Sequence, residues 1–445
     1  DGYNSSGFDT ISRKGNSKNI LTVGASNDAV SGGLRDTALG TITSFSGYGP
    51  TDDGRIKPDV VANGYYLYSS SHSSDSSYNY KFGTSMSAPN TTGSAALLIH
   101  YYNNRFTGAD MRASTLKGLL IHTADDIGNA GPDYIYGWGL IDTKAAADQI
   151  LNASTNPSDY YLLEDTLTGA AASKSYYFTL PYPSTVRATI VWTDPAASYS
   201  SGVDDTTLKL INDLDLRIYG PGGSPTYPPF VLDPSNPTFL ATTGDNFRDN
   251  VEQVYAFYIG TPGTYEMRVT HKSTLSGGSQ VFSLFLSHET NDITGPVITI
   301  LGDNPATVEL GSVYVDAEAT ALDDVDGDIT GSIDANSNVD TNTVGAYSVT
   351  YDVTDTAGNS ATQATRTVNV ADTTPPVITI LGSNPAYVEL GATYTDPGAT
   401  AADNGEGDMT NDIVTINGVN TSVVGNYSVT YNVSDSSANA ATQQT

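Results

Sequence analysis

The sequence predicts a multidomain protein that is mostly β, with an α/β region at its N-terminal end, and three observations support that fold class. Within residues 1–152, short apolar strands alternate with helical apolar runs, as in a parallel sheet covered by helices. Between residues 153 and 290, apolar side chains recur with period two between turn residues, which is typical of antiparallel strands. In residues 291–445 a segment of ~80 residues occurs twice, and a repeat of that length corresponds to one β-sandwich module.

The same patterns locate the individual elements. In the α/β region they predict strands Ile20–Ala25 and Asp59–Ala62 and helices Ala88–Tyr102, Thr115–His122 and Thr143–Leu151. In the period-two region they predict an antiparallel sandwich with strands Ser175–Leu180, Val186–Trp192, Leu214–Tyr219, Val251–Ile259, Thr264–Thr270 and Val281–Leu286.

The repeat sets the remaining boundaries. Gly295–Gly302 recurs as Pro375–Gly382, and Val344–Tyr351 recurs as Val424–Tyr431 with the same offset of 80 residues. The second copy reaches Thr445 before any counterpart of Thr365–Val370, so we expect that copy to be incomplete. The predicted domains are residues 1–152, 153–290, 291–372 and 373–445.

Composition excludes several classes of partner. A net charge of −30 argues against nucleic acid and anionic membranes, because both require a basic face. Such a charge suits a protein of salty surroundings or one whose carboxylates bind Ca²⁺, and we favour both together. The sequence has no cysteine, and no apolar run approaches the ~20 residues of a membrane-spanning helix. These features are compatible with a secreted bacterial protein that calcium, rather than disulfides, stabilises.

The most informative stretch is Gly83–Pro89, with the sequence Gly-Thr-Ser-Met-Ser-Ala-Pro, and an Ala/Leu-rich helical run follows it. A serine at a helix N-terminus lies beside backbone N–H groups that have no acceptor within the helix, and such groups stabilise a developing oxyanion. Ser85 is therefore a candidate nucleophile. The alternative is that Ser85 or Ser87 only caps the helix, which is the usual role of serine there.

Four further motifs occur around this stretch. They are Lys18–Ala25, Ser44–Pro50, Ile56–Gly64 (with Asn63 where proline is usual) and Gly137–Asp142. Together with Gly83–Pro89 they resemble, in their order along the chain, the subtilisin-like serine proteases of the subtilase family. The resemblance covers residues 1 to about 150.

The resemblance implies a serine endopeptidase that acts on proteins or peptides. Ser85 would attack the scissile carbonyl, and its backbone N–H would help to bind the oxyanion. Met86 would be an oxidation-sensitive neighbour of the nucleophile. Asn90–Thr92 depart from the family, which commonly has less polar residues after the motif, and this departure puts catalytic efficiency in doubt.

The family's catalytic Asp, its H-G-T-H-V block and its oxyanion Asn all precede the serine in the chain. Here Asp1-Gly2 corresponds to positions just after that Asn, His72 lies in a Ser-rich loop, and His100 and His122 follow the serine. We therefore expect a downstream part of a longer protease, unable to fold stably as residues 1–152 alone. It should be nearly inert alone, because loss of the base costs on the order of 10⁶ in subtilisin turnover. The alternative is a non-catalytic surface or adhesion protein with a decayed protease domain.

The period-two region resembles the jelly-roll domain that follows the catalytic domain in some secreted bacterial subtilases. Asp213 and Asp215 project to one side of a strand, and such close carboxylates repel unless a divalent cation lies between them. We predict structural Ca²⁺ held by some of Asp194, Asp213, Asp215 and Glu252. The alternative is an acidic edge that discourages aggregation.

The two repeats resemble tandem immunoglobulin-like modules of bacterial surface and secreted proteins. Each has an acidic loop, residues 323–328 in the first copy and 403–408 in the second. Carboxylates and glycines at this spacing suit Ca²⁺, so Asp323, Asp326 and Asp328 are candidate ligands, with solvated turns as the alternative. The modules would form a stalk that binds a surface or polymer, which indicates an extracellular or cell-surface protein.

Overall fold

The computed structural model describes residues 8–169, 173–198 and 204–445. The chain divides into two compact units, Asp1–Asn291 and Asp292–Thr445, which we call the first unit and the second unit. The interpretation of Asp1-Gly2 falls outside the described residues. Within the described ranges, no helix combines the length and the apolar character needed to cross a membrane.

The first unit begins with an α/β region. Its strands are β1 (Val23–Ser26), β2 (Val30–Ser31), β3 (Leu34–Arg35), β4 (Val60–Asn63), β5 (Leu67–Ser70) and β6 (Tyr78–Lys81), and its helices are α1 (Thr84–Arg105), α2 (Ala113–His122) and α3 (Thr143–Thr155). β1 and β4 pair in parallel, whereas β2–β3 and β5–β6 are antiparallel pairs. The three predicted helices are confirmed, but α1 starts at Thr84 rather than Ala88, because its first turn follows the Gly83 turn and not the apolar periodicity.

A β-sandwich follows in the same unit. Its strands are β7 (Tyr161–Thr168), β8 (Ser173–Leu180), β9 (Ser184–Trp192), β10 (Leu214–Tyr219), β11 (Thr226–Tyr227), β12 (Phe230–Val231), β13 (Thr242–Thr243), β14 (Val251–Ile259), β15 (Gly263–His271) and β16 (Ser279–Thr290). Two four-stranded antiparallel sheets, ordered β11-β10-β15-β8 and β14-β9-β16-β7, share a core that includes Phe178, Trp192, Leu216 and Phe282. The six strands predicted for this region are confirmed.

The α/β region and the sandwich also share a core. α2 packs on β9 and β16, and one apolar cluster joins Val60 and Leu120 to Val191 and Phe285. A side chain at Gly118 of α2 would overlap the Phe285 ring, so glycine allows this close approach. Because its sheet is covered on both faces, β16 has an almost continuous apolar run instead of a strict alternation. The predicted boundary between the first two domains therefore lies inside one compact unit.

The second unit contains two copies of one module. The strands of the first copy are β17 (Val297–Ile300), β18 (Ala306–Glu309), β19 (Ala319–Asp323), β20 (Gly327–Asp328), β21 (Asp334–Ser337), β22 (Gly345–Asp352) and β23 (Ala364–Ala371). They form sheets β17-β19-β20 and β18-β23-β22-β21. The second copy has β24 (Val377–Ile380), β25 (Ala399–Asp403), β26 (Gly407–Asp408), β27 (Val414–Asn417) and β28 (Val429–Asn432), in sheets β24-β25-β26 and β27-β28.

The two copies differ at one edge of the larger sheet. In the first copy β18 pairs in parallel with β23. In the second copy no strand is assigned at residues 386–389, the positions equivalent to β18. Tyr387 and Val388 in that segment, and Leu390 just after it, are exposed.

Candidate active site

Ser85 lies where the two parallel strands end. β1 and β4 end side by side at Ser26 and Asn63. Gly64, the residue after β4, donates its N–H to the Ser26 carbonyl at 3.0 Å, and Gly83 donates its N–H to the Gly64 carbonyl at 2.8 Å. These hydrogen bonds hold the start of α1 at the carboxyl edge of the strands, which is the edge where open α/β sheets bind ligands.

The start of α1 leaves Ser85 accessible. Ser85 is the second residue of the helix, and its side chain is exposed. The cap residue is Gly83, which offers no capping side chain and has φ 141°, a conformation that residues with a Cβ rarely adopt. Ser85 is therefore not the N-cap. The first-turn N–H groups and the positive end of the helix dipole favour negative charge that develops beside it.

Ser87, the other serine of the motif, has a structural role. Its side chain is fully buried, and its Oγ has no hydrogen-bond partner among the described residues. Any side chain at Gly64 would overlap the Ser87 Oγ, so the glycine after β4 allows α1 to pack closely. Burial excludes Ser87 as a nucleophile, and of the two serines only Ser85 reaches solvent.

No histidine of the chain is hydrogen-bonded to Ser85 within the part that the structure describes. His72 is exposed in the connection between β5 and β6. His100 is exposed on α1, and its ring lies 3.2 Å from the Asn104 side-chain amide. Neither residue is placed by the structure as a base for Ser85, in agreement with the interpretation of His72 as a loop residue.

His122 is a packed residue. Its ring nitrogens lie 2.9 Å from Thr189 Oγ1 and 3.0 Å from Ser287 Oγ, and the ring stacks on Phe285 at 5.6 Å. Burial, followed by the nearby Arg187 charge, holds the pKa of His122 well below its usual value. The imidazole is therefore neutral and belongs to the contact between α2 and the sandwich.

The Lys-Pro-Asp motif before β4 builds a buried ion cluster. Asp59 is ion-paired with Lys57 and, at 2.9 Å, with Lys117 of α2, and it accepts the Thr22 N–H at 2.6 Å. Burial lowers the pKa of Lys57 to about 7. Burial alone would raise the pKa of Asp59, but Lys117 and Lys57 outweigh it and lower that pKa. Sequence reasoning missed Lys117, although a lysine inside the apolar run of α2 is a signal that could have found it.

The calcium ligands predicted in the sandwich separate into two groups. Asp194 is buried and forms an ion pair with Lys18. Its carboxylate also accepts the backbone N–H groups of Ile211 and Asn212 at 2.9 and 2.8 Å. A lysine and two backbone amides therefore hold the Asp194 carboxylate.

Asp213, Asp215 and Glu252 do lie together, with two basic side chains among them. Lys272 Nζ is 3.2 Å from an oxygen of both aspartates. Arg217 is 3.3 Å from Asp215 and 3.8 Å from Glu252. Burial is the main cause that raises the pKa of Asp215 to about 6 and the pKa of Glu252 well above its usual value. Lys272 and Arg217 occupy the positions from which a cation would neutralise these carboxylates.

The three calcium ligands predicted in the acidic loop of the first module have different hydrogen-bond partners. Asp323 is 4% exposed, and its Oδ1 accepts two backbone N–H groups of its own loop. Asp326 accepts two hydrogen bonds from Thr356, both at 2.7 Å, and Asp328 accepts the Thr330 N–H at 3.0 Å. In the described ranges, a triad of closely spaced carboxylates includes Asp323 but neither Asp326 nor Asp328.

A row of aromatic rings precedes Ser85 on the β5–β6 hairpin. Successive ring centroids lie 4.8–6.2 Å apart in the order Phe45, Phe82, Tyr65, Tyr66, Tyr80, Tyr68 and Tyr78. Phe82 is three residues before Ser85 and 64% exposed. A contiguous exposed apolar surface of this kind is typical of an interaction site.

Comparison with protein families gives two matches. Residues 2–139 match the model of the subtilase family. Residues 298–370 and 378–444 match the model of the bacterial surface protein Ig-like domain. These matches confirm the resemblances inferred from the motifs before residue 142 and from the two repeats. They support the coarse fold class, a β-rich multidomain chain with a subtilase segment followed by Ig-like modules.

Three curated proteins illustrate the similarity. The serine protease/ABC transporter B family protein tagA of Dictyostelium discoideum is 32% identical over 202 residues, covering 39% of this chain and 11% of its own length. Serine protease AprX of Bacillus subtilis is 31% identical over 147 residues, which cover 30% of this chain and 31% of AprX. The extracellular serine protease of Serratia marcescens is 30% identical over 107 residues, which cover 23% of this chain and 9% of that protease. The chain thus spans at most about a third of the length of these relatives.

Proposed function

We propose that this chain carries the nucleophile of an extracellular serine endopeptidase. Ser85 Oγ attacks the carbonyl carbon of a peptide bond, and the amine leaves from the tetrahedral intermediate. Helix N-terminal N–H groups, including that of Ser85, stabilise the negative charge on the carbonyl oxygen. The observation that carries the proposal is an exposed serine in the first turn of α1, at the carboxyl edge of parallel strands, within the stretch that matches the subtilase family.

The proposed reaction needs a base and an orienting carboxylate in addition to Ser85. In the described part of the chain no imidazole is hydrogen-bonded to Ser85, and His122 is engaged with Thr189 and Ser287. We therefore assign the base, its carboxylate partner and the oxyanion Asn to residues other than those described here. The 445-residue polypeptide alone is then expected to be nearly inactive, since removal of the base lowers subtilisin turnover by on the order of 10⁶.

Fluorophosphonate labelling of the product of the complete reading frame that encodes this sequence tests the proposal. We expect one covalent adduct, mapped by mass spectrometry to the peptide with Ser85, and hydrolysis of a chromogenic peptide. Ser85→Ala should abolish both, whereas Ser69→Ala, at an exposed serine of β5, should leave them unchanged. Hydrolysis that persists in Ser85→Ala would overturn the assignment. A protein that neither hydrolyses peptide nor forms the adduct would favour the adhesion alternative.

The finer domain assignment and the location are part of the same proposal. We assign the sandwich of β7–β16 to a jelly-roll domain and the two modules to a stalk that contacts a surface or polymer. An extracellular location is supported by the printed description of the Serratia marcescens relative and by the surface-protein domain model that both modules match. Proteins and peptides are the proposed substrates.

A further inference from the structure

Each module of the second unit gathers three carboxylates at one end. Within each group, one oxygen from every member lies within 4.8 Å of the others, and the groups are Asp292, Asp323 and Asp324 in the first module and Asp372, Asp403 and Asp435 in the second. The first group lies where β17 begins and its paired strand β19 ends, because Val297 pairs with Leu322. The second group lies where β24 begins and its paired strand β25 ends, because Val377 pairs with Ala402. We call them the first triad and the second triad.

The triads contain buried oxygens that no described residue satisfies. The Oδ1 of Asp323 is used by its own loop, while its Oδ2 is buried and has no hydrogen-bond partner among the described residues. The Oδ2 of Asp403, at the equivalent position of the repeat, is buried and unpartnered in the same way, as is the Oδ2 of Asp292. A buried carboxylate oxygen without a donor is unfavourable unless a cation lies beside it.

A shared scaffold supports both triads. Asn359 donates from its side-chain amide to the Asp292 carbonyl at 3.2 Å and to Asp355 Oδ2 at 3.0 Å. In the second module Asn439 makes the same two bonds with the equivalent residues, at 3.0 and 2.8 Å. The two modules therefore share this hydrogen-bond pattern at their acidic ends, although β27–β28 of the second module form a smaller sheet than their counterparts in the first.

The second unit offers no basic side chain that neutralises its triads. Residues 292–445 contain no lysine and no histidine, and their single arginine, Arg366, is bound to Asp316 at 2.9 Å. Arg366 also donates to the Leu301 carbonyl, just after β17 ends, so it lies at the opposite end of the module. Burial and then the neighbouring Asp323 charge raise the pKa of Asp292, as expected for uncompensated negative charge.

We propose that each module binds one Ca²⁺ at its triad. The available donors are carboxylate and carbonyl oxygens, which hard cations prefer, whereas zinc and copper favour histidine and cysteine ligands, and residues 292–445 contain neither. Irregular carboxylate geometry suits the flexible coordination of Ca²⁺ better than the strict octahedron of Mg²⁺. The expected affinity is that of extracellular calcium modules, with Kd of about 10⁻⁴–10⁻³ M.

The second Ca²⁺ would also stiffen the connection between the modules. Asp372 directly follows β23, the last strand of the first module, whereas Asp403 ends β25 of the second. The next two residues after Asp372, Thr373 and Thr374, donate their N–H groups to Glu309 of the first module at 3.0 and 3.2 Å. A cation on the second triad would therefore link the end of one module to the body of the next.

Titration calorimetry of the chelator-treated full chain with CaCl₂ tests the proposal. We expect Asp323→Asn and Asp403→Asn each to remove one binding equivalent and the double variant to remove two. The control is the double variant Asp334→Asn/Asp412→Asn, which removes the same charge at exposed positions outside the triads and should bind like the wild type. Equal binding by the triad variant and the wild type would overturn the proposal, as would equal losses in triad and control variants.

A second measurement uses the unaltered chain and does not depend on how the variants fold. Hydrogen exchange of the peptide that contains Asp372, Thr373 and Thr374 should slow several-fold when CaCl₂ is raised from zero to 10 mM, a concentration of about 10–100 Kd. Mg²⁺ at the same concentration should give a smaller effect. Exchange that is identical with and without Ca²⁺ would contradict the second site.

Discussion

The two units compensate buried carboxylates in different ways. In the first unit Asp59 is paired with Lys57 and Lys117, and a lysine likewise lies against Asp194 and Asp215. In the second unit the sequence supplies one basic side chain for twenty-one carboxylates. A buried charge that loses its partner is strongly destabilising, so such a carboxylate needs either hydrogen-bond donors or a counter-charge.

The difference shows that similar acidic patterns in a sequence can have opposite consequences. The carboxylates around Asp215 resemble a metal site in the sequence, but Lys272 and Arg217 lie within ion-pair distance of them. The carboxylates around Asp323 have no such partner in the second unit. We therefore expect divalent ions to change the second unit far more than the first. The following predictions test the ion pairs of the first unit, from the largest expected effect on stability to the smallest.

The substitution Asp59→Asn should be the most damaging. It removes the negative charge between two buried ammonium groups, Lys57 and Lys117, and breaking such a buried cluster costs about 3–5 kcal/mol. Urea denaturation followed by tryptophan fluorescence measures the loss, because Trp138 and Trp192 are the two tryptophans of the chain and both belong to the first unit. Asp148→Asn, at a half-exposed partner of an exposed lysine, should change stability by about 0.5 kcal/mol or less. Equal effects of the two substitutions would contradict the argument.

Lys272→Met should have an intermediate effect. The substitution leaves Asp213 and Asp215 without their shared cation, but the Lys272 side chain is 31% exposed, so water compensates part of the loss. We expect a decrease of about 1–2 kcal/mol in the free energy of unfolding, again from tryptophan-monitored urea curves. Lys144→Met is the matched control, since that lysine is 86% exposed and its removal should leave the unfolding curve close to that of the wild type. An unfolding curve of Lys272→Met that matches the wild type would contradict a stabilising role for Lys272.

The pH dependence should show the smallest effect. Burial raises the pKa of Asp215 to about 6 from an ordinary value of 3.8, so the folded state holds this proton more tightly than the unfolded state. The contribution of Asp215 to stability is therefore full below pH 4 and is lost as the pH rises from about 4 to 6. The free energy of unfolding should therefore decline between pH 4 and pH 6. After a discount for solvent screening, Asp215→Asn should make this decline smaller by about 1 kcal/mol. Unfolding curves of both proteins at pH 4, 5, 6 and 7 measure this, and equal slopes would contradict the assigned pKa.

Much of the local structure was predictable because it depends on neighbouring residues. The periods of apolar side chains locate α2, β9 and β16. The position of Ser85 also follows from a contiguous stretch, since a glycine, a short polar turn and a helical run occur together there. The offset of 80 residues predicted the two modules, and the family comparison confirms their type.

What the sequence by itself determined is therefore the order of elements, the repeat and the exposed serine at the start of α1, all of which arise from short-range pattern and backbone preference. Only the tertiary structure decided which charges meet. It brought Lys272 to Asp215 and Lys117 to Asp59, and it packed α2 against the sandwich so that two predicted domains share a core. Electrostatic compensation depends on distances of a few ångströms between residues far apart in the chain, and no local pattern encodes those distances.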